Sequence, residues 1–393
     1  MSAYLDHAAT TPVRPEVVAV MAEELSRVGN PSSLHTAGRA ARRVVEEARE
    51  QVAGALGARP GEVVLTGGGT EADNLAVKGL YWARAAADPR RRRVLVSSVE
   101  HHGVLDPAEW LAAEQSAEVV HLPVDAAGLL DLDALREAIE ADPASVALVS
   151  VMWANNEVGT VQPVAEVVAL AAQHGIPVHT DAVQAVGALP VDFDASGVAA
   201  LTLTGHKLGG PIGAGALLVR RGTPLVPVLH GGGQEGGVRS GSVSAAGARA
   251  LGVAAELAVA AQPAHAARLA ELRERLRAAV LDAVPDAVVH GSPDADRRLP
   301  GLLHVTVPGC EGDSLLYLLD ARGVECSTGS ACTAGVPQPS HVLRAMGLDD
   351  ATARGALRFS LGRTSTAADV DAVAAAIGPV VERARTAGLA LLA

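Results

Sequence analysis

Lysine is almost absent from this chain: its 393 residues include only two, Lys78 and Lys207, and every other permanently basic side chain is arginine. Arginine keeps its proton at ordinary pH, so side-chain chemistry that needs a deprotonated amine, such as a Schiff base, can fall only to these two. Lys78 lies on a helical pattern and reads as a solvated position. Lys207 follows a strand-like apolar run, in Thr204-Gly205-His206-Lys207. Aromatic residues make up 2% of the chain, so its core must be built from Ala, Val and Leu. The three cysteines, Cys310, Cys326 and Cys332, are an odd number in a long chain, which excludes the disulfide framework of a small secreted domain. The Cys326-x5-Cys332 spacing matches no common zinc pattern, and no metal is expected. No apolar run reaches the ~20 residues that cross a bilayer, and MSAYLDHAATTP is not a basic leader with an apolar stretch behind it, so a cytoplasmic protein is expected. A net charge of -12 argues against nucleic acid or an anionic membrane as the main partner. The run Arg90 to Arg93 is the exception, and its place before Val94 to Val96 reads as a solvated loop.

What is present is ample core material: 49% of residues are apolar and 19% charged, as in globular proteins, and the length exceeds one average domain. From residue 35 to 220, helical and strand-like stretches alternate. An amphipathic segment from Arg39 to Leu56 is stopped by Gly57, and Val63 to Thr66 follows as a strand. Further strands are expected at Val94 to Ser97, Val119 to Leu122, Val146 to Val151, Pro177 to Thr180, Leu201 to Thr204 and Ala216 to Val219. Their Val/Leu-rich, weakly alternating character predicts a parallel sheet covered by helices on both faces. A Gly-rich stretch, Gly231 to Gly241, precedes a long helix from Ala245 to Leu281 that reads as the bridge to a second domain. The remainder mixes strands (Leu302 to Val307, Ala356 to Leu361) with helices (Asp313 to Ala321, Ala368 to Arg385), an α+β pattern.

Four signals stand at the ends of these strands, where an open α/β sheet places its ligand crevice. In Thr66-Gly67-Gly68-Gly69-Thr70-Glu71, glycines admit a close anion and the following helix offers unpaired N–H groups to a phosphate; no Gly-Lys-Ser/Thr follows, which excludes a Walker-type loop. Asp181, directly after an apolar strand, either caps the next helix or meets a cationic ligand group such as a protonated pyridine nitrogen. Lys207 supplies the amine. Phosphate cradle, acidic partner and Schiff-base lysine are together the attachments of pyridoxal phosphate. The fourth signal is Cys332, in the small-residue segment Ser327 to Gly335, whose polar setting favours a reactive thiol over a buried one. Cys310 and Cys326 read as inert.

Beyond these signals the chain resembles the NifS-type cysteine desulfurases, pyridoxal-phosphate enzymes of the class V aminotransferase fold. The strings that carry the resemblance run nearly end to end: YLDHAATTPV, GNPSSLHTAGR, LTGGGTEADNLA, EHHGVLD, NNEVGTVQP, HTDAVQA, TGHKLGGPIGAGAL, GGGQEGGVRSGS, STGSACTAG and RFSLGR. The resemblance implies the fold-type I transferase architecture: a large α/β cofactor domain over residues 15–255, and a smaller α+β domain of residues 1–14 and 256–393 carrying the cysteine. It also implies that Lys207 forms the Schiff base, Asp181 meets the ring nitrogen, Gln184 meets the ring hydroxyl and His101 stacks on the ring and shares proton transfers, with His102 not the functional one. Gly69, Thr70, Thr204 and His206 would bind phosphate, and Ser242 would reach across from a second protomer, so a homodimer is expected. Asn155 and Arg358 would receive the substrate carboxylate. The implied reaction turns L-cysteine into alanine and stores the sulfur as a persulfide on Cys332 for an acceptor protein. The chain stops at Ala393 without the tail that iron–sulfur scaffold-serving relatives use for docking, so an iron–sulfur scaffold and a tRNA-thiolation enzyme are both open as acceptors. A transaminase, a selenocysteine lyase and a catalytically silent sulfur-delivery subunit are the competing readings.

Overall fold

A computed structural model describes residues 2–329 and 339–392. Its central feature is a seven-stranded sheet in the spatial order Val63–Thr66, Gly215–Val219, Ala200–Thr204, Val178–Asp181, Val146–Ser150, Arg93–Ser97, Glu118–Leu122. Strands Val146–Ser150 and Ala200–Thr204 are buried at every residue, which is why their sequences run apolar without alternation: helices cover both faces. Pairing is parallel from Glu118–Leu122 through to Ala200–Thr204. Strand Gly215–Val219 breaks the pattern, running antiparallel to both its neighbours. The link over residues 205–214 is too short for a helical crossover, so the chain must turn straight back.

Helix Thr36–Ala55 packs along the first half of the long helix Ala245–Ala283. Small residues let the two approach closely: a Cβ on Gly252 would lie 3.0 Å from Ala48 Cα. The long helix contributes Ala248 to Ala258 to the core under the large sheet, and Leu269, Leu276 and Val280 to a separate core. Pro263, between the two stripes, removes one helical N–H there. The second core covers an antiparallel three-stranded sheet ordered Ala356–Ser360, Leu302–Thr306, Val288–His290, and a parallel pair, Ala3–Tyr4 with Val324–Glu325. No described helix is long and apolar enough to cross a membrane.

The arginine run folds into the sheet's lower edge instead of standing free. Arg91, Arg92 and Arg93 donate to the carbonyls of Val146, Ser116 and Ala138, and Arg90 pairs with Asp88. Lys78 is half-buried, its ammonium 4.3 Å from the centre of the Trp110 ring.

Strand direction sets the site. The segments leaving Thr66, Ser97, Ser150, Asp181 and Thr204 all emerge at one end of the sheet. The N-terminal strap, residues 6–14, is pinned over that end: Ala8 N–H donates to Ser360 Oγ, Thr11 N–H to the His206 carbonyl and Arg14 N–H to the Gly209 carbonyl.

Candidate active site

A cavity of ≈ 380 Å³ lies where these strand ends meet the strap and the second sheet. Lys207 ends the tight turn Gly205–Lys207 that follows strand Ala200–Thr204, and its side chain enters the cavity. Nζ donates to the Ala8 carbonyl and, at 2.6 Å, to the Ala9 carbonyl, with no carboxylate within salt-bridge distance among the described residues. Burial, reinforced by Arg358, pushes its pKa down to about 8 against the weaker pull of Asp6 and Asp181. A substantial fraction of this amine is therefore unprotonated at mildly alkaline pH, the condition for attack on a carbonyl carbon.

Asp181 closes strand Val178–Asp181, and its Oδ1 accepts the Val183 N–H at 2.9 Å. Burial raises its pKa, while His101, that backbone donor and Lys207 favour the anion. His101 caps helix His102–Gln115: its Nδ1 accepts the Gly103 N–H at 2.9 Å, which leaves the ring proton on Nε2. Burial lowers the His101 pKa, so the ring is neutral at neutral pH. His102 also reaches the cavity wall, but its Nδ1 is engaged by Asp106 at 2.9 Å. Gln184 donates to the Ala8 carbonyl at 2.9 Å, the acceptor it shares with Lys207.

At the opposite end, Gly68 has φ 148°, a conformation suited to glycine, and helix Gly69–Ala87 begins there. Its first helical hydrogen bond is Ala72 N–H to the Gly68 carbonyl, so the preceding N–H groups of Gly69, Thr70 and Glu71 form an anion cradle. A Cβ on Gly69 would come within 3.1 Å of Val183 Cγ2, which explains a small residue there. Thr204 and His206 face the same end. Burial, with Lys207, pushes His206 down to about 4, so it serves as a neutral hydrogen-bonding ring. Glu71 anchors the cradle: it accepts the Gly67 N–H at 2.8 Å and pairs with Arg239, from the Gly-rich stretch, at 2.6 Å.

These groups fit pyridoxal phosphate. An anion cradle, a buried carboxylate, a flat neutral imidazole and a lysine of lowered pKa occupy one cavity, and each answers a different part of that cofactor.

Arg358, on strand Ala356–Ser360, is 4% exposed and reaches the cavity from the second sheet. Asn155, expected at the substrate carboxylate, is not among the residues that line the cavity. Asn155 is fully buried: Nδ2 donates to the Val99 carbonyl, in the segment after strand Arg93–Ser97, and to Met152 Sδ, and Oδ1 accepts the N–H groups of Glu157 and Val158. Its neighbour Asn156 lines the cavity instead, and the Asn156 carbonyl accepts from Arg358 at 2.9 Å. Ser242 is exposed and does not line its own chain's cavity.

Cys332 lies outside the described residues. On either side of that segment, Gly329 and His341 both line the cavity. Ser327 and Arg358 exchange backbone hydrogen bonds, and Ser340 Oγ donates to Glu157 at 2.5 Å. Cys310 and Cys326 are buried; burial raises both thiols, that of Cys326 to about 12. Sequence reasoning missed Asp6, Asp73, Glu100 and Asn156. For Asp73 a signal existed: it falls on the helix stripe of Val77 and Leu80, where a carboxylate is out of place.

Comparison with known proteins agrees with this geometry. The aminotransferase class-V family model matches residues 3–373. An IscS-like cysteine desulfurase of Mycobacterium tuberculosis is 56% identical over 388 residues, covering 99% of this chain and 98% of that protein. The cysteine desulfurase NifS of Azotobacter vinelandii is 43% identical, covering 97% and 93%. A solved structure described as a NifS-like protein superposes with a TM-score of 0.89 at 33% identity, covering 98% of this chain and 100% of that one. The chain belongs to the class V aminotransferase family and, within it, to the NifS-type cysteine desulfurases.

Proposed function

We propose that this chain is a cytoplasmic, pyridoxal-phosphate-dependent cysteine desulfurase that converts L-cysteine to L-alanine and retains the sulfur as a persulfide on Cys332. The observation that carries the reading is the convergence of Lys207, Asp181, His101 and the Thr70/Thr204/His206 cradle on one cavity, with the Lys207 amine lowered to about 8. When bound, the cofactor supplies an aldehyde for an amine and a protonated ring that accepts electrons from the substrate's α-carbon.

The protein's own groups do the rest. Asp181 would hold the ring nitrogen in its protonated form, Gln184 would bond the ring hydroxyl, and the neutral His101 imidazole would cover the ring. The N–H groups at Gly69 and Thr70, with Thr204 and His206, would hold the phosphate. Arg358, oriented by the Asn156 carbonyl and by Asp6, would receive the substrate carboxylate. Lys207 would serve as the base that removes the substrate's α-proton, the role its lowered pKa suits. The Cys332 thiolate then attacks the substrate sulfur. A sulfur–sulfur bond forms as the Cβ–S bond breaks, the electron pair stays with the substrate carbon, and protonation there gives alanine. His101, which lines the cavity and carries its ring proton on Nε2, would share these transfers.

Two further assignments belong to this reading. Residues 15–255 form the cofactor domain, and residues 1–14 with 256–393 form the smaller one that carries Cys332; the two cores met by the long helix support that division. The working unit is a homodimer, supported by the exposed apolar side chains Val18, Leu25, Val28 and Leu34, and by Ser242 standing free to enter a partner's phosphate site. The persulfide passes to an acceptor protein of iron–sulfur assembly or tRNA thiolation. Incubation with L-cysteine tests the reading: alanine should appear and the intact protein should gain one sulfur, located on Cys332 and absent in C332S. Turnover of an amino donor to a keto acid by C332S at the wild-type rate would identify a transaminase instead.

A further inference from the structure

Beside Asp181 stands a second buried carboxylate with no part in the scheme above. Asp73, one turn into helix Gly69–Ala87, is 1% exposed. One oxygen of Asp73, one of Asp181 and a ring nitrogen of His101 lie within 4.8 Å of one another. Two carboxylates this close, away from water, do not both ionise unless a cation compensates them.

The surroundings decide which one carries the proton. Neither imidazole near Asp73 brings a charge: burial keeps His101 neutral, and it pushes His179, whose Nε2 is 3.7 Å from Asp73 Oδ1, to about 3. His179 is spent on the hydroxyls of Ser150 and Thr202. Asp73 Oδ1 has no hydrogen-bond partner among the described residues. Glu100, fully buried nearby, adds a third acid and no compensation. The Thr202 hydroxyl favours the Asp73 anion, but it is outweighed by burial and by Asp181. The stabilising groups gather at Asp181, which accepts the Val183 N–H and lies in the field of the Lys207 ammonium. A shared negative charge settles where donors are aimed at it.

We propose that Asp73 is a positioning residue for Asp181: as a neutral carboxylic acid it stands beside that side chain and keeps it anionic and directed at the ring nitrogen of the bound cofactor. The inference rests on the cofactor site proposed above. Infrared spectroscopy of the cofactor-loaded enzyme at neutral pH tests it, with E100Q as the control for the other buried acid. Wild type should show the carbonyl stretch of a buried protonated carboxylic acid, D73N should lose a component of it, and E100Q should keep that component. Asparagine retains the shape and a donor, so D73N should bind the cofactor nearly as wild type does, while D73A binds it at least about tenfold more weakly, the equivalent of one pKa unit of lost preference for the Asp181 anion. D73S takes the place of D73A if the alanine variant does not fold. An unchanged infrared band in D73N, or equal cofactor affinities for D73N and the truncated variant, overturns the proposal. The infrared reading does not depend on turnover, so a failure of the desulfurase assignment would show separately.

Discussion

Arg358 Nη2 donates to Asp6 Oδ1 at 2.8 Å while Nη1 donates to the Asn156 carbonyl at 2.9 Å, and Nε has no partner among the described residues. Residue 6 of the chain thus orients a guanidinium 352 positions later, and the strap that carries Asp6 also supplies the carbonyls that hold Lys207.

A planar fork held on two sides can still offer a fixed N–H edge to a substrate carboxylate, whereas an ammonium cannot serve all three acceptors in one plane. R358K should therefore raise KM for L-cysteine at least about tenfold, as expected for losing one hydrogen bond to a charged group, with a smaller effect on kcat. Steady-state kinetics alongside the cofactor's visible absorbance, which should persist, checks this.

The three cysteines should separate by reactivity. With its thiol raised to about 12, Cys326 is thiolate in only about one molecule in ten thousand at pH 8. Alkylation with iodoacetamide at that pH should label Cys332 and leave Cys326 and the buried Cys310 unlabelled. C326S and C310S should keep near-normal desulfuration, while C332S abolishes sulfide release and retains the cofactor.

Reconstitution should follow the ionisation of Lys207. Its protonated form cannot attack an aldehyde, so the rate at which cofactor-free enzyme takes up pyridoxal phosphate should rise as pH increases and level off above about 8. A rate still climbing towards 10.5 would mean that the amine sits in water.

His101 has its Nδ1 committed to the Gly103 N–H and its proton on Nε2. H101Q should keep the cofactor but lower kcat about a hundredfold, the lower range for losing a positioned acid–base group. Single-turnover kinetics would show the loss in the chemical steps.

The parts of the site legible in the sequence were those tied to strand ends. Thr66, Asp181 and Thr204 each close an apolar run, so the crevice could be located from the pattern alone. What escaped was decided by local hydrogen bonding. Asn155 and Asn156 are identical letters, and only the loop shows that Asn155 spends its amide on Val99, Glu157 and Val158 while its neighbour faces the cavity. The reversal of strand Gly215–Val219 depended on the length of the Lys207 turn, which periodicity does not report. Arg91 to Arg93 read as a solvated run because their backbone acceptors lie far away in sequence.

With only Lys78 and Lys207 in the chain, one chemical experiment bears directly on the central claim. Borohydride reduction of the purified yellow enzyme, followed by peptide mass mapping, should find the pyridoxyl phosphate on the peptide containing Lys207 and none on that containing Lys78. An unmodified Lys207, or label on Lys78, would contradict the account.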